Sequence, residues 1–86
     1  MDVIKVATKS RPTAVAGAIA AAVREDREAN VQAIGPLAVN QAVKAIAVAR
    51  GYLAQDGLTV VCIPTFIEVA VDGGERTALR LLVEPR

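Results

Sequence analysis

The chain has 86 residues and a formal net charge of +1, and 53% of its residues are hydrophobic. This length accommodates one domain over residues 1–86 and leaves no room for a second. The hydrophobic content excludes intrinsic disorder, which requires low hydrophobicity and high net charge. It is also high for a small monomer, whose surface is large relative to its volume. We therefore expect a homodimer or a higher homo-oligomer.

The residues that carry most enzyme chemistry are missing from the sequence. It contains no His, no Trp and one Cys, and neither a Walker sequence nor a dinucleotide-binding fingerprint occurs. Without imidazole there is no Ser-His or Cys-His pair and no His-ligated metal. Glu25, Asp26 and Glu28 could together bind a divalent cation, but a solvated helix end explains them better. We expect no enzyme activity, no catalytic residue, no cofactor and no metal site.

The single cysteine and the lack of long apolar segments indicate a cellular location. Cys62 lies in an apolar segment at residues 60–63, which predicts a buried structural thiol. One cysteine cannot form an intrachain disulfide, and reducing cytosol is the default compartment for such a chain. The longest uncharged stretch near the N-terminus, residues 13–23, is too short to span a bilayer, which takes about 20 residues. We expect a cytoplasmic protein with no membrane partner.

The first third of the chain predicts a strand, a helix and a second strand. Residues 3–7 are rich in β-branched side chains, which favour a strand. Pro12 suits the first turn of a helix, and Ser10 just before it is a suitable cap. Hydrophobic residues at helical spacing predict a helix over residues 11–28, followed by a short strand over residues 31–34.

The middle of the chain predicts a second helix over residues 37–50, ended by Gly51. Its outer side is expected to be polar, yet Leu37 and Val48 lie there among Asn40, Gln41 and Lys44. This mixture predicts that Leu37 and Val48 contribute to self-association, although scattered exposed apolar residues are the alternative. The buried stripe is predicted to contain Val39, Ala42, Val43, Ile46, Ala49 and Leu53.

The last third predicts a β-hairpin. Residues 58–63 form an unbroken apolar run, typical of a strand covered on both faces, and Pro64 after it marks an edge or a bulge. Residues 72–75 have hairpin-turn chemistry, and from Leu79 onward apolar and charged residues alternate.

The predicted fold class is α/β in the α+β two-layer sense. The element order is β-α-β-α-β-β, with two helices on one face of a four-stranded mixed sheet. The residues expected to be largely buried are Val15, Ile19, Val39, Val43, Ile46, Val60, Val61, Ile63, Leu79 and Leu81.

One loop combines the features of a phosphate site. Lys9 and Arg11 flank Ser10 just before the first helix, where backbone N–H groups lack intrahelical partners. Cations beside a helix N-terminus suit a nucleic-acid phosphate. Arg76 lies beside the hairpin tip and is the candidate third cation, so the predicted nucleic-acid-binding residues are Lys9, Ser10, Arg11 and Arg76.

A resemblance to a known family extends along the whole chain. It is carried by residues 4–7, 15–18, 32–35, 40–45, 49–51, 62–64, 72–73, 75–78 and 83–86. These segments resemble the stage V sporulation protein S family. That family is small and bacterial, and it is associated with the regulation of sporulation around septation and coat assembly. The resemblance implies a regulatory role without an established enzyme activity, and it does not imply that the host makes spores.

The element order also resembles the Alba family of dimeric chromatin and RNA-binding proteins. There a Lys-containing loop followed by proline leads into the first helix, and here that loop is residues 9–12. Residues 38–43 are similar to the Alba segment after the second strand, except that Gln41 replaces a basic residue. Residues 35–37 likewise replace a more basic turn. These departures and the charge of +1 argue against strong duplex binding.

Taken together, the sequence predicts an Alba-like, non-enzymatic regulatory protein related to sporulation control. It would bind DNA or RNA phosphate backbones with weak sequence preference through the loop before the first helix. The alternative is an oligomeric protein-interaction scaffold, acting in sporulation or septation without direct nucleic-acid binding.

Overall fold

The computed structural model describes residues 2–86 of the chain. Its helices and strands follow the predicted order β-α-β-α-β-β. The four strands form one sheet in the spatial order β1-β2-β4-β3, in which β1 and β2 are parallel and the other pairs are antiparallel. This confirms the α+β fold class with a mixed sheet. The elements are β1 (Val3–Val6), α1 (Pro12–Asp26), β2 (Ala29–Ala33), α2 (Pro36–Ala54), β3 (Val60–Val71) and β4 (Gly74–Pro85).

The core lies between the two helices and one face of the sheet. Val31 of β2 pairs with Ile4 of β1 and with Leu81 of β4, and all three contribute to this core. Successive side chains of a strand point to opposite faces. The neighbours of these residues along the strands therefore point to the other face, which carries no helix and which we call the open face.

Alanine lines the buried sides of both helices. Small side chains let α1 and α2 approach each other and the sheet closely, so the larger side chains of α2 are displaced to its flanks. Val43, predicted to be buried, is 53% exposed for this reason. Neither helix within residues 2–86 combines the length and the apolar character that crossing a membrane requires. The buried helical residues are Ala16, Ile19, Ala20, Val23, Ala38, Ala42, Ala45, Ala49 and Leu53.

β3 is an edge strand, which corrects two predictions. Cys62 is exposed rather than buried, and Ile63 is 45% exposed. Both were expected to lie in a strand covered on its two faces, but β3 lies at the edge of the sheet, and Ile63, the partner of Leu82, points to the open face, which carries no helix. Pro64 sits within β3, as the lack of a second neighbouring strand permits, so the predicted edge is confirmed. Ile19 and Leu81 are buried as predicted, and the other predicted core residues apart from Val43 and Ile63 are partly buried.

Two helix boundaries differ from their predictions. The N-cap of α1 is Arg11, and Ser10 does not cap the helix. α2 continues through Gly51 to Ala54, because Gly51 keeps a helical backbone and the packing of Leu53 against the core stabilises one more turn. Tertiary burial can extend a helix past the residue at which local sequence signals predict its end.

The β3–β4 hairpin extends beyond the rest of the sheet. The last pair between β2 and β4 is Ala33–Leu79, whereas the β3–β4 ladder continues to Val71–Gly74. We call the projecting residues 67–78 the arm. Asp72 and Gly73 form its two-residue turn with φ of 47° and 78°, which confirms the predicted turn chemistry.

Candidate nucleic-acid interface

The loop between β1 and α1 is held by two hydrogen bonds that both involve Ser10. The backbone N–H of Ser10 donates to the Ala7 carbonyl at 3.0 Å. The backbone N–H of Ala7 donates to the Ser10 hydroxyl oxygen at 2.8 Å. The hydroxyl of Ser10 therefore closes the loop, and its own hydrogen stays available for a ligand.

A side chain of α2 also fixes this loop. Gln41 Nε2 donates to the Ser10 carbonyl oxygen at 2.9 Å. In the sequence, Gln41 is notable only because it replaces a basic residue of the similar Alba segment. The structure gives it a positioning role for the loop, which no sequence signal reveals because the two residues are far apart in the chain.

Lys9 and Arg11 project from the same loop. Both are exposed, and the ion pair found within residues 2–86 is elsewhere, between Arg24 and Asp56. Arg11 has an extended backbone, with φ of −84° and ψ of 119°, and the first turn of α1 contains no acidic residue. Because the first N–H groups of a helix lack internal partners, this end of α1 has a positive potential.

The N-terminus of α2 lies at the same end of the molecule. Each helix follows one of the parallel strands β1 and β2, whose carboxyl ends share one sheet edge. The first turn of α2 also lacks acidic residues. At the carboxyl ends of β1 and β2 lies a cavity of about 300 Å³, lined in part by Lys5, Thr8, Gln32 and Ala38. The structure thus brings two helix N-termini and the Lys9–Arg11 loop together.

Arg76 shares this end of the molecule but not the same site. β4 runs antiparallel to β2, so the arm projects past the carboxyl ends of β1 and β2. Arg76 is exposed on the arm, which also carries Glu68, Asp72 and Glu75 and so has a net charge of −2. Thr77 donates a hydrogen bond of 2.8 Å to Glu68 on the opposite side of the hairpin from Arg76. The acidic arm makes Arg76 the weakest of the four predicted nucleic-acid contacts.

The residues predicted for self-association lie in different environments. Leu37 is 64% exposed in the first turn of α2, as expected. Val48 is half-buried and packs against the core, so it offers little free surface.

A larger apolar surface, missed by the sequence analysis, lies on the other flank of α2. Phe66 of β3 is 75% exposed and Val43 is 53% exposed. Val39, one turn before Val43, lines with Phe66, Pro36 and Leu79 a cavity of about 300 Å³. We call Val39, Val43 and Phe66 the α2–β3 apolar surface. Leu37 is about 200° around the helix from Val39, at 100° per residue, and lies outside it.

The acidic residues near the end of α1 do not build a metal centre. Glu25, Asp26 and Glu28 line an open cavity of about 610 Å³. Within residues 2–86, no three His, Cys, Asp or Glu side chains come together as metal ligands would. Glu28 instead accepts a hydrogen bond of 3.1 Å from the amide of Asn30.

A comparison of the sequence with protein families gives a match over residues 2–86. The family model of stage V sporulation protein S (SpoVS) matches residues 2–86. The chain belongs to the SpoVS family. This membership associates the chain with sporulation.

Among solved structures, the SpoVS chain is similar to Alba from Thermoplasma volcanium. The two share 12% sequence identity with a TM-score of 0.64, over 96% of this chain and 99% of the other. At this identity the likeness shows the fold alone, which is Alba-like.

Proposed function

We propose that this SpoVS chain is a non-enzymatic, cytoplasmic regulatory protein that binds nucleic-acid phosphates through the loop between β1 and α1. The observation that carries the proposal is the convergence of Lys9 and Arg11 with two helix N-termini at one end of the molecule. The ordered loop supports it too, because the bonds to Ser10 fix the backbone from which the two cationic side chains extend.

A phosphate at this loop would find several donors in one place. Lys9 and Arg11 supply charged N–H groups, Ser10 supplies its hydroxyl hydrogen, and the first turn of α1 supplies backbone N–H groups. The loop contains no aromatic side chain for stacking on a base. Contacts to phosphate carry no sequence information, so we expect weak sequence preference for DNA or RNA.

We further propose a homodimer formed through the α2–β3 apolar surface. Phe66 projects beside the cavity that it lines with Val39, so a protruding ring and a recess lie side by side on one chain. A two-fold dimer requires such self-complementarity, since each copy must offer the same patch. The free edge of β3 is less suited to be the dimer interface than the α2–β3 apolar surface, because Pro64 has no N–H for strand pairing.

The alternative function remains a protein-interaction scaffold. The α2–β3 apolar surface favours it, since exposed apolar patches mark protein contacts. Salt-sensitive binding of nucleic acid distinguishes the two functions. A scaffold without nucleic-acid binding would not retain DNA or RNA at any salt concentration.

The test measures the affinity for duplex DNA and for RNA as salt is varied. Two copies of Lys9 and Arg11 give four phosphate contacts, so these residues should contribute about −3.6 to the slope of log affinity against log salt for duplex DNA, at about 0.9 per contact. The variant Lys9→Glu/Arg11→Glu should lose binding. The matched control Lys44→Glu/Arg86→Glu changes two exposed cations elsewhere and should retain most of it. Absence of salt-sensitive binding by the parent protein would favour the scaffold.

A further inference from the structure

A row of polar side chains crosses the open face of the sheet. Lys5 in β1, Gln32 in β2, Arg80 in β4 and Thr65 in β3 are direct partners in the strand register. Adjacent strands are about 4.8 Å apart, so Lys5 and Arg80 start about 10 Å from each other on either side of Gln32. Two long cationic side chains can therefore converge above one amide.

Arg80 has an unmet hydrogen-bonding requirement. Its Nε is buried, and within residues 2–86 it is the buried side-chain polar atom that lacks a hydrogen-bond partner. Its neighbours on the open face are Gln32, Thr65, Ala78 and Leu82, none of which is acidic. A buried N–H of a cation without an acceptor costs free energy, and a bound anion is one of the ways in which proteins remove that cost.

The charge of the open face favours an anion. Lys5, Arg76 and Arg80 are the cations that its strands present, and Glu84 is the anion. Three positive charges and one negative charge leave +2. Glu84 is four residues from Arg80 along β4, or about 13 Å in an extended strand, too far to neutralise it directly.

We propose that Lys5, Gln32 and Arg80 form an anion site that takes a phosphate group. Arg80 offers a planar fork of donors, Lys5 a point charge and Gln32 its amide N–H groups. Phosphate has enough oxygens to accept from all three residues.

In the cell the ligand of this site would be a phosphate of the nucleic-acid backbone, an assignment that rests on the proposed function. The cavity at the carboxyl ends of β1 and β2 joins this site to the Lys9–Arg11 loop, since Lys5 and Gln32 line it together with Thr8. A nucleic-acid strand that contacts the loop can thus continue onto the open face.

The first experiment titrates inorganic phosphate into the ¹⁵N-labelled protein and follows the Nε–H signal of Arg80 and the amide signals of Gln32. Both should shift and saturate in the parent protein and equally in Lys9→Gln/Arg11→Gln. They should show no saturable shift in Lys5→Gln, which leaves the half-buried Arg80 in place. An Arg80 Nε signal that phosphate does not move would overturn the site, whatever the protein does with nucleic acid.

The second experiment compares the salt dependence of duplex DNA binding by Lys5→Gln/Arg80→Gln and by the control Lys44→Gln/Arg86→Gln. Each chain of a dimer would lose one bound phosphate, so the slope should become shallower by about 1.8, at about 0.9 per phosphate, and the control should not change it. An unchanged slope in folded Lys5→Gln/Arg80→Gln would overturn the nucleic-acid assignment of the site while the proposed function stands. If the parent binds phosphate at Arg80 but no nucleic acid, the proposed function fails and the anion site stands.

Discussion

Gln41 in the second turn of α2 donates its amide hydrogen to the carbonyl oxygen of Ser10, at 2.9 Å, and so joins α2 to the loop that carries Lys9 and Arg11. The contact joins the N-terminal regions of the two helices across the carboxyl ends of β1 and β2. A free loop of this composition would have to be ordered by its ligand.

The variant Gln41→Ala should therefore weaken phosphate binding without removing a cation. Ordering the backbone of one residue costs roughly 1–2 kcal/mol, so the affinity for DNA should fall by about tenfold. The free energy of unfolding should fall by about 0.5–1.5 kcal/mol with the lost hydrogen bond. Fluorescence anisotropy and urea unfolding measure the two effects. Gln55→Ala, an exposed glutamine at the end of α2, is the matched control, and equal effects of both variants would contradict the positioning role of Gln41.

The α2–β3 apolar surface predicts how the dimer can be dissociated. Phe66→Asp places a charge where an aromatic ring is expected to be buried by the second copy, so the variant should have the monomer mass of 8.9 kDa. Leu37→Asp changes an apolar residue of similar exposure on the other flank of α2 and should remain dimeric. Size exclusion with light scattering at micromolar concentration decides between them. A monomeric Leu37→Asp beside a dimeric Phe66→Asp would place the interface on the flank of Leu37.

Gly17 predicts a stabilising substitution. A Cβ added at this position in α1 meets no atom within 4 Å, and no positive φ requires glycine there. Gly17→Ala should raise the free energy of unfolding by about 0.5–1 kcal/mol, because alanine favours the helix and restricts the unfolded chain. For a domain of this size that is a rise in melting temperature of roughly 2–8 °C. Gly35→Ala provides the contrast, since its φ of 86° strains alanine and should lower the melting temperature.

Cys62 predicts a pH effect of known sign. Desolvation raises the pKa of the Cys62 thiol in the folded chain. Between the unfolded and the folded pKa the folded chain keeps a proton that the unfolded chain has lost, so this group's contribution to stability falls as pH rises through that range. Urea midpoints of the parent should fall more between pH 7 and pH 10 than those of Cys62→Ala. Iodoacetamide should also react more slowly with Cys62 than with a free thiol, since the thiolate is the nucleophile.

The element order and the β-hairpin were predictable because their causes are local. Pro12 suits the first turn of a helix because its φ is fixed and its missing N–H costs nothing there, and Asp72–Gly73 suits a two-residue turn by its own backbone preferences. From Leu79 onward, apolar and charged residues alternate, and this pattern predicts which residues of β4 face the core without knowledge of the neighbouring strands.

Most of the candidate site residues were also predictable, whereas their arrangement was not. Lys9, Ser10 and Arg11 stand together in the sequence, so their proximity needs no tertiary information. The role of Gln41, the meeting of the two helix starts and the row from Lys5 to Arg80 depend on which strands are neighbours. Strand order is set by long-range packing, and a single sequence carries little of that information.

The six elements, the turn of the hairpin and the cationic loop were predictable from the sequence, because each follows from backbone preferences or from residues a few positions apart. The tertiary structure alone decided which side of an apolar element is covered. On α2 the buried face belongs to Ala42 and Ala45 rather than to Val43, since close packing of two helices selects small side chains. On β3 it decided that Ile63 stays exposed because it points to the open face, and that Phe66 stays exposed because it lies on the edge strand of the sheet.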